Sequence, residues 1–412
     1  MILKILIPFL LIMQILPVLI WLERKGAAYI QDRRGPNRAS IFGIRLGGMI
    51  HSLADVVKLI FKEDISPSHA NRFIYTLAPF LAMAVACMTF VVIPWGAPLD
   101  WKGGTFTLQA IDLNVGILYI FAIASMGVYG IMLAGWSSNN KYSLLGGLRS
   151  SAQMISYELT LSLSVVGVLI LAGSLELNSI VTDQGAHLWN WNFFRQPLGC
   201  LLFLVSAFAE TNRLPFDLPE AEAELVAGYH VEYSGLKFAL FFMAEYANMI
   251  VASALIATLF FGGWQVPFVS TGTLRLHATS ILYYSILAIG LFSILAGWFL
   301  LRRKPKVTYH DARAYETKVL GIPAILLGMS LVVGQSLLGP LALGESGSQV
   351  AAAFFQFGAF LLKILFFCWT FIWVRWTLPR FRYDQLMKLG WRVMLPLALA
   401  NVVVTAGVYL LF

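Results

Sequence analysis

The residues most able to do chemistry in this chain are carboxylates and a lysine set inside long apolar runs. Glu158 lies one turn into the run Met154–Gly173, Glu245 sits mid-run within FFMAEYANMI, and Lys363 falls within Val350–Val374. An ionised group at the centre of a bilayer costs roughly 2.5–3.5 kcal/mol on insertion scales, so it demands a partner or a task. One answer is interhelical pairing, such as Glu with Lys, which fixes the packing. The other is a hydrated proton path, because buried carboxylates hold their protons more tightly and can exchange them near neutral pH. Carboxylates outnumber lysine in these runs, which favours the path, and Glu210 would extend it to the membrane surface.

A second acidic group lies in AETNRLPFDLPEAEAELVAGYHVEYSG. Asp217 followed three residues later by Glu220, with Pro219 between them, is a capping pattern that predicts a helix start. An acidic first turn complements the helix dipole, which explains one or two carboxylates. It does not explain Glu210, Asp217, Glu220, Glu222, Glu224 and Glu232 together, so this loop is expected to have a function beyond scaffolding. No nucleotide-binding glycine loop, nucleophile triad or metal-ligand spacing occurs, so no residue is assigned a catalytic or metal role. Cys87, Cys200 and Cys368 each stand alone in apolar runs, which argues against an iron–sulfur site or a disulfide framework and for inert thiols. Catalysis, if any, belongs to an assembly.

The elements that must position these groups follow from composition. Hydrophobic residues make up 59% of the 412, charged residues 12%, and the mean hydropathy is +0.76, which excludes a soluble domain. Apolar runs of about 20 residues predict an all-α integral membrane protein rather than a β-barrel, which would alternate in ten-residue segments. Ten spans are expected: Ile2–Leu22, Ile74–Pro94, Leu113–Gly135, Met154–Gly173, Leu198–Asn212, Leu236–Gly262, Ala278–Leu301, Lys318–Leu341, Val350–Val374 and Trp391–Phe412. The first is followed by Glu23, Arg24 and Lys25 instead of a small-residue cleavage site, and reads as a retained span.

Of the Lys and Arg residues between spans, 21 fall in odd-numbered loops and 3 in even ones. That bias predicts odd loops in the cytoplasm and both termini outside, on the periplasmic side. It also explains the net charge of +8 as topology and not as a nucleic-acid footprint. Trp95, Trp101, Trp264 and Trp376 near span ends read as interfacial belts. Residues 1–412 read as one membrane domain with two patterned loops, 23–73 and 210–235. In the first, Leu46, Met49, Ile50, Leu53, Val57 and Ile60 form an apolar stripe opposite His51, Asp55, Lys58 and Lys62. Such a helix lies at the membrane surface, as an anchor or as the lining of an amphiphile's entrance.

Loop one, ERKGAAYIQDRRGPNRASIFGIRLGGMIHSLADVVKLIFKED, resembles the first characteristic region of the bacterial H-subunit, a membrane subunit of respiratory complex I (NADH:quinone oxidoreductase). AETNRLPFDLPEAEAELVAGYHVEY is similar to its second, and SYELTLSL, FFMAEYANMI and FIWVRWTLPRFRYDQLMKLGWRVMLP match further along, in order, from Glu23 to Pro396. The resemblance implies a bacterial cytoplasmic (inner) membrane and an eight-helix core with cytoplasmic interfacial helices. It implies quinone as substrate, with no cofactor bound by this chain alone. The implied partners are the other complex I membrane subunits, the peripheral quinone-module subunits carrying the terminal iron–sulfur cluster, and membrane lipid, with no nucleic acid. The implied wall of the quinone tunnel includes Arg24, Gln31, Arg33, Arg34, Pro36, Asn37, Asp55 and Lys58. The family's acidic pathway maps to Glu210, Asp217, Glu220, Glu222 and Glu224, then Glu158 and Glu245. Quinone reduction would shift charge locally and move protons among them.

The chain departs from that family in three places. His51-Ser52 stands where many members have Gln-Pro, Arg392 replaces a common Lys, and residues 278–341 read as an extra transmembrane pair. The basic loop of that pair, RRKPKVTYHDAR, could touch a neighbour or anionic lipid. Two other functions fit less well: the equivalent subunit of a membrane-bound hydrogenase-type complex, against which RRGPNR argues, and a stand-alone cation transporter, which predicts inverted repeats that are absent.

Overall fold

With no water in hydrocarbon to satisfy backbone amides, an apolar run must close its hydrogen bonds within itself, and the runs above do so as helices. The computed structural model describes residues 2–101, 104–217, 228–302, 315–340 and 343–411. In chain order the helices are α1 (Ile2–Ile30), α2 (Ile50–Phe61), α3 (Arg72–Thr89), α4 (Gly116–Ser137), α5 (Lys141–Ala172), α6 (Leu177–Gln184), α7 (Asn192–Arg195) and α8 (Pro197–Glu210). There follow α9 (Gly235–Phe260), α10 (Thr271–Leu276), α11 (Ala278–Arg302), α12 (Glu316–Leu338), α13 (Glu345–Thr377), α14 (Tyr383–Lys388) and α15 (Leu395–Leu411). Among the described residues the only sheet is an antiparallel hairpin, Leu99–Trp101 with Gly104–Phe106.

The chain is an all-α multi-pass membrane protein. Among the described residues eight helices are long and apolar enough to cross a bilayer: α3, α4, α5, α9, α11, α12, α13 and the segment Tyr383–Leu411 that ends in α15. The first and fifth expected spans fall on α1 and α8. Helix α8 has 14 residues and is therefore about 21 Å long, short of the roughly 30 Å hydrocarbon core. Helix α7 packs beside it, and α6 packs on α9 and α5. Gln184 and Asn192 from these donate to the Thr258 and Leu259 carbonyls at 2.9 and 2.8 Å, satisfying the end of α9.

Several boundaries differ from expectation for physical reasons. Helix α1 runs eight residues past Leu22, so Glu23 and Arg24 are helical and not loop residues. Helix α5 starts at Lys141, because the small residues of SLLGGLRSSAQ continue the helix; Glu158 is thus near its middle instead of one turn in. The surface helix α2 begins only at Ile50, since Gly47 and Gly48 take φ of 64° and 99° and break the expected stripe before it. Its Leu53, Val56, Val57, Ile60 and Phe61 are exposed, as an interfacial helix requires. Trp95 and Trp264 are buried, at 4% and 2% exposure, so they are core residues and not interfacial belts. Trp95 packs on Phe357 and Phe360.

Helix α9 forms the centre, packed against α3, α13, α1 and α2, while α5 carries α4, α8 and α15. Helices α11 and α12 pack chiefly on each other; α11 also packs on α13 and α10, and Glu316 of α12 meets Arg45 before α2. The helix start expected at Asp217–Glu220 lies outside the described residues, as do Glu220, Glu222 and Glu224.

Candidate functional site

The site begins where α8 stops. Asn212 adopts the left-handed conformation (φ 49°), which asparagine tolerates better than most residues. Its N–H donates to the Ala209 carbonyl at 3.4 Å and that of Arg213 to Phe208 at 3.2 Å, the paired bonds of a Schellman ending. Gln153 on α5 pins the turn, donating to the Ala209 and Phe216 carbonyls, each at 2.8 Å. The result turns Arg213 inward under the bundle, where its side chain has 0% exposure.

Arg213 there meets carboxylates from two helices. Its Nη1 donates to Glu23 Oε2 at 2.6 Å and its Nε lies 2.5 Å from Glu245 Oε1. Arg375 of α13 reaches Glu23 Oε1 at 2.8 Å and lies 3.9 Å from Glu245 Oε1. Tyr246 donates to Glu23 Oε2 at 2.7 Å, and the Arg213 guanidinium sits 4.2 Å from its ring centroid. Four segments that are remote in sequence are thus tied by alternating charges in a site of low dielectric, where each charge depends on its neighbours.

Asp217, beyond the turn, extends the cluster: Arg380 lies 3.5 Å from its Oδ2, while Oδ1 is buried with no hydrogen-bond partner among the described residues. Burial pushes the Asp217 carboxyl up to about 7, and the nearby Glu245 charge adds to this; Arg375, Arg380 and Arg213 offset it only in part.

A small cavity of about 30 Å³, room for roughly one water, lies between Glu245 and Glu210 and is lined also by Thr211, Asn212 and Asn248. A second, also of about 30 Å³, shares Met154, Glu210, Thr211 and Asn248 with the first and continues towards Thr89 and Phe203. Glu158 is within electrostatic reach of Glu210. Glu158, Glu210, Asp217 and Glu245 are therefore assembled in one region. Glu232 has a structural explanation: its Oε1 accepts from Asn140 at 2.7 Å, tying the loop's exit to the start of α5.

The outer part of the site is loop one. Arg24, one residue beyond Glu23 on α1, forms an ion pair with Asp55 on α2. Gln31 accepts from Arg33 Nε at 2.8 Å, and Lys25 donates to the Arg34 carbonyl at 3.0 Å. Pro36 and Asn37 are half-buried, and Gly48 (φ 99°) leaves no room for a Cβ against the Pro36 carbonyl. His51 Nε2 accepts the N–H groups of Arg38 and Ala39 at 3.1 and 3.0 Å and so clasps the loop. Lys58 is exposed on the same helix. Asp32, Phe42 and Leu46 all have positive φ (52°, 49° and 47°), a concentration of backbone strain of the kind that collects at functional sites.

Lys363 pairs with neither Glu158 nor Glu245. Its ammonium donates to the carbonyls of Phe261, Gly263 and Gln265 at 2.8, 2.8 and 2.7 Å and lies 4.5 Å from the Trp191 ring centroid. It caps the carbonyl end of α9, where the dipole favours a cation, and completes its three donors there. The Glu–Lys pairing weighed as the alternative to a proton path does not form; Glu23 and Glu245 meet arginines instead. Glu23, Arg213, Arg375 and Arg380 were missed because each stands at a span end, where charge reads as topology. Arg213 carried one usable signal: it is the single Lys or Arg residue in a loop full of acids.

The NADH dehydrogenase family model matches residues 3–406. The chain is 46% identical over 399 residues to an NADH-quinone oxidoreductase H-subunit of Solibacter usitatus, covering 96% of this chain and 92% of that one. It is 45% identical over 391 residues to NADH-quinone oxidoreductase subunit 8 of Rhodothermus marinus (94% and 91%) and 40% identical over 430 to the NADH-quinone oxidoreductase H-subunit of Bdellovibrio bacteriovorus (98% and 95%). The helices, the buried charge cluster and these matches agree: the chain belongs to the NADH dehydrogenase family, among the H-subunits of NADH-quinone oxidoreductase.

Proposed function

We propose that this chain is the quinone-site membrane subunit of a proton-pumping NADH:quinone oxidoreductase, forming the lipid-side tunnel for the quinone and passing the effect of its reduction to buried carboxylates. The observation that carries the reading is the adjacency of Glu23 and Arg24. Successive residues on one helix turn point about 100° apart. Arg24 thus pairs with Asp55 at the doorway while Glu23 pairs with Arg213 and Arg375 in the interior. A change of charge at the quinone is felt one residue away by the network that holds Glu245.

A quinone becomes a quinol by gaining two electrons and two protons. The electrons come from an iron–sulfur cluster in a peripheral partner. The protons drawn to the reduced headgroup leave the carboxylate network short, and Asp217, whose carboxyl burial pushes up from its ordinary range, is suited to exchange them. The small cavity between Glu245 and Glu210, with Thr211, Asn212 and Asn248 on its wall, links two carboxylates of the path, and Glu158 lies within electrostatic reach of Glu210. Loops one and five face the cytoplasm in this account, and the pumping subunits lie further along the membrane. The tunnel wall is Arg24, Gln31, Arg33, Arg34, Pro36, Asn37, Asp55 and Lys58; Glu220, Glu222 and Glu224 belong to the acidic path by their place in loop five. The assembly carrying Glu245→Gln, reconstituted in vesicles, tests this. Long-tailed quinone reduction and proton uptake should fall together; unimpaired turnover and pumping would sink the proposal.

A further inference from the structure

Loop one meets helix α12, 271 positions away in sequence, through Arg45 and Glu316. The Arg45 backbone N–H donates to Glu316 Oε1 at 2.8 Å, its Nε donates to Oε2 at 2.5 Å, and its Nη2 lies 2.5 Å from the same oxygen. Both carboxylate oxygens are gripped by one residue, and the two side chains are only 11% and 9% exposed. Charge-assisted contacts of this forked kind fix orientation as well as distance.

The backbone around Arg45 needs such an anchor. Phe42, Gly43, Leu46, Gly47 and Gly48 all have positive φ, and the only helical element here is a single 3-10 turn, Leu46–Gly48. Within the loop it is held by a short Ile41–Ile44 bridge and by Trp21 Nε1 donating to the Gly47 carbonyl at 3.2 Å.

Glu316, by contrast, stands on a rigid support. Helices α11 and α12 run antiparallel at glycine-to-glycine distance. A Cβ on Gly297 would meet the Gly321 carbonyl at 2.6 Å, one on Gly328 would meet that of Gly290 at 2.5 Å, and Ser293 donates to the Ala324 carbonyl at 2.8 Å. Small residues at such spacing let helices lock in a membrane. The pair is also tied at its other end, where Arg275, just before α11, donates to the Pro98 carbonyl at 2.8 Å.

We infer that Glu316 is a positioning residue for quinone access: through Arg45 it holds the doorway edge of loop one against the braced helix pair α11–α12. The pair is then a working part of the tunnel mouth and not a peripheral decoration. This rests on the tunnel reading above. His51 clasps the Arg38–Ala39 half of the loop, and Glu316 clasps the Arg45 half.

The test uses the intact purified assembly with Glu316→Gln, with Arg45→Gln, and with the exchange of Arg45→Glu and Glu316→Arg together. Hydrogen exchange in segment 41–49 reads the clamp, and KM and kcat for quinones of several tail lengths read the doorway. Loss of one charge-assisted contact should speed exchange about tenfold in both single variants. KM for long-tailed quinone should rise about threefold or more with kcat within about twofold, and the exchanged pair should recover part of both. Unchanged hydrogen exchange overturns the clamp, whatever the quinone kinetics. A loosened loop with KM unchanged at every tail length overturns the proposal through the tunnel reading on which it rests, so the two failures are distinguishable.

Discussion

Arg213 offers the sharpest energetic test. Replacing it with Met removes the cation shared by Glu23 and Glu245 and leaves both facing Arg375, which reaches Glu23 at 2.8 Å but Glu245 only at 3.9 Å. An exposed ion pair would be worth at most about 1 kcal/mol, but Arg213 has 0% side-chain exposure. Breaking a buried pair by removing one partner costs about 3–5 kcal/mol, because a desolvated charge is left uncompensated. Arg213→Met should therefore destabilise the chain by that amount. Adding Glu245→Gln removes the stranded charge and leaves Glu23 matched one-to-one with Arg375. The double variant should thus be more stable than Arg213→Met alone, with a coupling of about 1.5–3 kcal/mol. Unfolding in mixed micelles, followed by tryptophan fluorescence, measures the cycle; turnover of the assembly gives a second readout. A single variant within about 0.5 kcal/mol of the parent, or strictly additive losses, would refute the idea that these groups act as one buried network.

Other consequences follow from single residues. The Asp217 carboxyl is raised from 3.8 to about 7 by burial. A raised carboxyl stabilises the fold when protonated, so its contribution is complete below about pH 4 and lost as pH rises through 7. Asp217→Asn should flatten the pH dependence of stability across that window; an unchanged slope would remove Asp217 from the account. Lys363→Met strands three carbonyls at the end of α9 and should cost about 2–4 kcal/mol without changing quinone KM, whereas a change in KM at unchanged stability would contradict its capping role. Asp55→Leu frees Arg24 at the doorway and should raise the quinone KM more for long tails than for short ones; equal shifts at every tail length would count against it.

Sequence periodicity and hydropathy located the spans because helix formation in lipid is a local problem, solved residue by residue from apolar content. They also flagged Glu158, Glu210 and Glu245, since an intramembrane carboxylate stands out against its surroundings. What stayed illegible was pairing across the bundle. Nothing local distinguishes Arg375, which neutralises Glu23, from Arg392, which reads equally well as a flanking charge. Helix ends were misread wherever small polar residues continued a helix, as in SLLGGLRSSAQ before Met154. Trp95 and Trp264 were misplaced because a residue near a span end can face inward as easily as towards headgroups. The Arg45–Glu316 contact joins two segments whose individual patterns carry no trace of each other.

The central claim is that a long-tailed quinone enters beside Arg24 and Asp55. A photoreactive long-tailed quinone analogue, applied to the intact assembly in its membrane, tests this directly. The account predicts label on this chain between residues 24 and 58, suppressed by excess natural quinone. Label confined to other chains, or label here that excess quinone leaves untouched, would contradict it.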